Sequence, residues 1–144
     1  MLCWENDVDN WQVSNTEEPF TKDQMDVFVC QDQSLIENKQ QRFMICLKDK
    51  PIGCVDLFEY SKRENSAGVG ILIAEKMSRN SGCATAALKL LILKCSNELK
   101  IVHLFCNIFK ENKASIRLFE KCGFQFVEER LLEGEQVNYY ELNL

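Results

Sequence analysis

The chain has 144 residues and a mass of 16.7 kDa, enough for one domain that buries roughly 70% of the surface its unfolded form exposes. Apolar residues make up 46% and charged residues 27%, which excludes a disordered or fibrous chain. A net charge of −5 argues against a nucleic-acid surface, which needs a basic stripe, and leaves room for a cationic substrate.

Residues 1–20 are polar and aperiodic, with Trp4, Trp11 and Phe20 as scattered anchors. Thr21 can cap a helix reaching about Glu37, with Met25, Phe28, Val29 and Ile36 along one side. The period then changes to two. Phe43, Ile45 and Leu47 alternate with Arg42, Met44 and Cys46, and a turn is expected at DKPIG, which holds a proline and a glycine. A strand from Gly53 to Tyr60, the charged turn SKREN and a strand from Ala67 to Ile73 complete an antiparallel meander. From Ser81 to Ser96 the period is helical, with Ala84, Ala87, Leu88, Leu91 and Cys95 on one face. IVHLFCNIF, Ile101 to Phe109, is apolar on both faces and suits a central strand. A short helix from Asn112 to Lys121 stops at Gly123, and Phe124 to Leu131, a turn at EGEQ and Val137 to Leu142 form a closing hairpin. The order is helix, three strands, helix, strand, helix, two strands: an α/β domain over residues 1–144.

No apolar run reaches the ~18 residues of a membrane helix, because Lys89 and Lys94 interrupt the longest, Leu88 to Cys95. The opening MLCWENDVDN lacks the basic-then-apolar order of a secretory signal, so a cytosolic protein away from membranes is expected. The cysteines, Cys3, Cys30, Cys46, Cys54, Cys83, Cys95, Cys106 and Cys122, contain no C-x-x-C pair, and His103 is the only histidine. They are expected as buried reduced thiols rather than bridges or metal ligands, and no metal is expected.

The most informative stretch is ILIAEKMSRNSGCATAAL, residues 71–88, in which a strand ends, a loop of small and polar residues follows and a helix begins. The first N–H groups of a helix have no internal partners and carry the positive end of its dipole, so they suit a pyrophosphate. Gly82 permits unusual backbone angles and Ala84 keeps bulk away. Neither GxxxxGK[ST] nor G-x-G-x-x-G is present. Arg79 to Ala84 instead reads R-x-x-G-x-A, and ENKASIRLFEKCGFQF follows at residues 111–126.

This pair of motifs, with VGILIAEK and VDLFEY, resembles the GNAT superfamily of N-acetyltransferases, in the branch of the ribosomal-protein and spermidine enzymes, over about residues 4–142. The resemblance implies a mixed, mainly antiparallel sheet with helices on both faces, and acetyl-CoA as cosubstrate. It implies that Arg79, Asn80, Ser81, Gly82, Cys83 and Ala84 wrap the coenzyme pyrophosphate. It further implies that backbone around Leu72 and Ile73 pairs with the pantetheine, and that Asn112 hydrogen-bonds this arm in a slot between two splayed strands. The acceptor would be a primary amine: a peptide α-amine, a polyamine or another small amine. Relatives usually begin with a further strand and most of a helix. Here an amino-terminal strand and part of the first helix are expected to be missing, with a homodimer covering the remaining sheet edge.

Amide formation from a thioester needs a neutral amine and a proton for the leaving thiolate. Candidate bases are Asp56, Glu59 and Glu75. Strand alternation places Asp56 and Tyr60 with Phe58 and turns Glu59 away, and relatives often carry an acid at the position of Asp56, which is favoured here. Where many relatives have the acidic tyrosine, this chain has Phe119. Ser115, one helical turn earlier, is expected to take the donor role, with Tyr139, Tyr140 or water as alternatives. Asn80 stands where glycine is common in relatives, and asparagine tolerates left-handed angles. His103, Phe124 and Phe126 are expected to be structural. Rival readings are a catalytically silent acyl-CoA-binding module, motivated by Phe119, and a nucleotide-binding α/β domain.

Overall fold

The computed structural model describes residues 2–9, 18–25 and 34–144. Its six strands are β1 (Gln41–Leu47), β2 (Lys50–Ser61), β3 (Ser66–Ile73), β4 (His103–Phe109), β5 (Gln125–Leu132) and β6 (Glu135–Asn143). They form one sheet in the order β1-β2-β3-β4-β6-β5. Every neighbouring pair is antiparallel except β3 with β4, which are joined by the crossover through helix α1 (Cys83–Lys94). Helix α2 (Lys113–Lys121) links β4 to β5.

The first hairpin turns at Lys48–Asp49, at the front edge of the DKPIG segment rather than across it. Lys48 and Asp49 have φ of 49° and 64°, the two positive angles of a type I′ hairpin turn, so Pro51, Ile52 and Gly53 belong to β2. Pro51 is tolerated there because it faces Cys46 of the edge strand β1 beside a bulge in β2, where Ile52 is the extra residue. The β5–β6 hairpin uses the same device at Glu133 and Gly134 (φ 49° and 89°).

The buried face of α1 is the expected one: Leu88, Leu91 and Cys95 are buried and pack with Val55, Leu57, Ala67 and Leu104 of the sheet. The opposite face of β1 and β2 carries Arg42 and Asp56, and Arg42 Nη1 reaches Glu5 Oε1 of the short helical turn Leu2–Glu5 at 2.8 Å. Helical segments therefore cover both faces of that half of the sheet.

The cap at Thr21 is reciprocal. Its Oγ1 accepts from Gln24 N at 3.2 Å, and its own N donates to Gln24 Oε1 at 2.8 Å. Residues 22–25 are helical and Met25 is buried; Phe28 and Val29 lie outside the described residues. Residues 35–38 form a turn, not the end of that helix, and Ile36 is 71% exposed while its neighbour Leu35 is buried. The helical period therefore fails at Ile36, because a turn closed by Asn38 N donating to Ser34 O interrupts it.

The cysteines divide. Cys54, Cys95 and Cys106 are buried free thiols, and Cys83 and Cys122 are partly buried. Cys3 and Cys46 are exposed, contrary to the expectation of burial, Cys46 because its strand lies at the sheet edge; Cys30 lies outside the described residues. Burial pushes the Cys54 thiol up to about 12, helped by the Asp56 charge, and Cys95 up to about 11. Phe124 joins the core, but Phe126 is 51% exposed, since β5 is the other edge strand. No described helix is long and apolar enough to cross a membrane.

Candidate active site

The central pair of strands is incomplete. β3 and β4 are matched only at Ser66–His103, Ala67–Leu104 and Gly68–Phe105. Beyond these positions each continues against a different neighbour: β3 stays paired to β2 as far as Ile73, and β4 to β6 as far as Phe109. A wedge opens between them, and the backbone groups along its inner edges lack the ladder partner a closed sheet would supply. Two cavities meet at this wedge, sharing Ile71, Asn112 and Ser115.

The first is a cleft of about 420 Å³ between the end of β3, the loop before α1 and one side of α2. It brings together seven of the nine residues expected to hold the coenzyme: Leu72, Ile73, Arg79, Asn80, Gly82, Ala84 and Asn112. Asn80 and Gly82 have φ of 58° and 85°, so the loop turns through two left-handed residues, as the asparagine was expected to allow. Gly82 is the N-cap of α1 and no side chain caps this end. The first helical bond is Ala86 N to Gly82 O, which leaves the N–H groups of Cys83, Ala84 and Thr85 without an intrahelical acceptor. A Cβ built on Gly82 would enter open space. Arg79 Nε donates to Ile73 O at 2.9 Å, fastening the loop across the end of β3.

Ser81 and Cys83 do not line this cleft with their side chains. The Ser81 hydroxyl turns back to donate to Ser78 O, and Cys83 faces the groove between α1 and β1. At both positions the backbone, rather than the side chain, is what the loop offers.

The second cavity, about 390 Å³, has walls that include Val69, Ile108, Phe119 and Val137, with carboxylates from Glu59 and Glu133. Glu59 reaches it through a β-bulge. The register of β2 against β3 shifts between Phe58 and Ser61, and Glu59 itself has φ of 49°. A bulge re-aims a side chain, so simple alternation mispredicts it. Asp56, the base favoured on alternation, does not line either cavity. Its two oxygens accept from Arg42 Nε and Nη2 at 2.7 and 2.6 Å, a bidentate cross-strand pair that leaves Arg42 Nη1 to reach Glu5 of the amino-terminal turn. Burial opposes the charge on Arg42, and the hydrogen bonds it donates to Asp56, with the Asp56 charge, outweigh it to raise the guanidinium above its ordinary range.

Ser115 sits where the cavities join, and among the described residues its Oγ has no hydrogen-bond partner. Asn112 caps α2, its Oδ1 accepting from Ser115 N at 3.1 Å, which leaves the amide NH₂ as the group able to donate into the wedge. Phe119 is buried edge-on against Phe124, with centroids 5.0 Å apart. Tyr140 donates to Glu120 Oε1 at 3.2 Å, the Arg130 guanidinium lies 3.3 Å from the centre of the Tyr139 ring, and neither tyrosine lines either cavity. Glu75 pairs with Lys50 at 3.1 Å outside both cavities. His103 stacks on Phe105 and approaches Glu141 at 3.6 Å. Sequence reasoning missed Glu133, Arg117 and Lys121; the last two, four apart on one helix face with Asn112 and Ser115 upstream, carried a readable signal.

Residues 2–125 match the acetyltransferase (GNAT) domain family. The chain belongs to that family. It is 24% identical over 106 residues to the L-amino acid N-acetyltransferase AaaT of Escherichia coli K12, an overlap covering 69% of this chain and 65% of that protein, just under two thirds of its length. Its fold is similar to that of the Vibrio cholerae spermidine N-acetyltransferase bound to CoA and spermine, with a TM-score of 0.84, 20% identity, and coverage of 99% of this chain and 86% of that one. It is similar also to that of the aminoglycoside acetyltransferase AAC(6')-Ib bound to coenzyme A, with a TM-score of 0.82, 16% identity and the same coverage. The GNAT sheet, mixed and mainly antiparallel with a single parallel pair, is the one the motifs implied.

Proposed function

We propose that this GNAT domain moves the acetyl group of acetyl-CoA onto a primary amine. The observation that carries the reading is the wedge between β3 and β4, bordered at one end by the uncapped start of α1 and at the other by the carboxylate-bearing cavity. The chain fits the coenzyme. A diphosphate needs unclaimed N–H donors and room for close approach, and the Cys83–Thr85 amides with the open space at Gly82 offer both. Residues 69–73 along the wedge offer backbone groups to an amide-containing arm, and the Asn112 NH₂ adds a donor.

Acetyl-CoA, when bound, supplies an activated thioester. The chain's own residues handle the acceptor and the protons. A free alkyl amine is protonated at neutral pH, with a pKa near 10, so it must lose a proton before it can attack. Glu59, aimed into the cavity by its bulge, takes that proton directly or through one water; it replaces Asp56 in this role. Ser115 Oγ donates towards the departing sulfur at the junction of the two cavities. Glu59 and Glu133 also favour a cationic acceptor. The similar proteins act on an amino acid, a polyamine and an aminoglycoside, so the acceptor belongs among small amines or peptide α-amines.

Thiol release from acetyl-CoA across a panel of L-amino acids, spermidine, aminoglycosides and peptide α-amines tests the reading. Turnover on at least one amine is expected. A second reading, a silent acyl-CoA-binding module, draws on the buried Phe119 in place of a donor. Tight acetyl-CoA binding with no turnover on any amine would select it.

A further inference from the structure

The two cavities divide charge between them. Arg79, Arg117 and Lys121 line the first cleft, with Asp9 as a lining carboxylate, whereas the charged groups of the second are Glu59 and Glu133. Among the described residues no lysine, arginine or histidine lines the second cavity, and residues 10–17 and 26–33 contain none of the three. The backbone sets the two carboxylates on separate elements. Glu59 sits in the β2 bulge and Glu133 in the tight turn between β5 and β6, both with φ of 49°. Pairing of β6 with β4 as far as Val137–Phe109 carries that turn past the end of β4, at the open end of the wedge. Much of the remaining wall is apolar, with Val69, Ile108, Phe109, Leu132 and Val137.

The acceptor classes meet this wall differently. A simple alkylamine brings one cation and leaves the second carboxylate without a partner in the substrate. An amino acid brings a carboxylate into a cavity that already holds two, where like charges repel and no described cation offsets them. A methylene chain with an ammonium at each end matches every part of the wall. One end loses its proton to Glu59 and forms the amide as the thioester carbon–sulfur bond breaks, the departing sulfur taking a proton from Ser115. The other end keeps its charge against Glu133, and the methylenes lie along the apolar wall. We propose that the acceptor is an aliphatic diamine without a carboxylate, and that Glu133 selects it by holding the distal ammonium. The inference rests on the acetyl-transfer reading above and narrows its acceptor.

Thiol release from acetyl-CoA by the whole chain, measured with 1,5-diaminopentane, pentylamine and L-lysine, tests it. Pentylamine removes one ammonium from the diamine, and L-lysine adds one carboxylate. The wild type should show kcat/KM about tenfold higher for the diamine than for either of the others. In Glu133→Gln the preference over pentylamine should shrink to less than about twofold, through a raised KM for the diamine. Equal use of pentylamine or L-lysine by the wild type would overturn the assignment and leave the acetyl-transfer reading standing. So would a preference over pentylamine that survives in Glu133→Gln, or turnover confined to aminoglycosides or peptide α-amines. No turnover on any amine would remove the acetyl-transfer reading itself, and this inference with it.

Discussion

The two cavities that meet at Ser115 are built from different materials. The cleft proposed for the coenzyme is largely backbone: three amides at the start of α1, two left-handed residues in the loop before it, and the inner edge of β3. The second cavity is largely side chain, with apolar walls and carboxylates delivered by a bulge in β2 and by the β5–β6 turn. Backbone sites demand particular residues at fixed spacing, above all glycine or asparagine where φ is positive, so they leave a motif. Side-chain sites depend on where each strand bulges and ends, and they leave little trace.

Breaking the backbone side should have the largest effect. Gly82→Val places a β-branched residue at φ 85° and fills the open space beside the amides. It should weaken acetyl-CoA on the order of 100-fold by calorimetry, and unchanged affinity would remove the cradle from the account. On the other side, Glu59→Gln should lower kcat by about 100-fold while leaving acetyl-CoA affinity unchanged. A fall in affinity with kcat preserved would show that Glu59 belongs to the coenzyme cleft instead. Asp56→Asn sharpens the contrast, because it breaks a structural pair. It should cost about 2 kcal/mol in chemical denaturation and leave kcat nearly intact. Ser115→Ala, at the junction, should lower kcat only about tenfold, since a thiol with pKa near 8.5 leaves readily even without a donor. A larger loss together with a raised Kd would make Ser115 a binding residue.

The same contrast explains what could be read in the sequence. The sheet was legible because Phe43 and Ile45, or Val55 and Leu57, keep a period of two where one face is covered by α1. The cleft lined by Arg79, Gly82 and Ala84 was legible through their fixed spacing. The carboxylate of the second cavity was not: alternation pointed to Asp56, whereas a bulge, invisible in a string of residues, puts Glu59 in the cavity wall. The turn at Lys48–Asp49 was hidden for a related reason, because neither residue is a glycine and a nearby Pro51 and Gly53 looked better suited. Ile36 and Phe126 misled because an apolar residue in a turn or on an edge strand has no layer to cover it.

The central claim is that backbone at the front of α1 and along the open edge of β3 holds the coenzyme. A crystal structure of the protein with CoA tests it most directly. The account predicts the diphosphate within hydrogen-bond distance of the Cys83–Thr85 amides and the pantetheine arm lying in the wedge, its sulfur beside Ser115. Coenzyme A bound elsewhere, with that wedge filled by side chains, would contradict it.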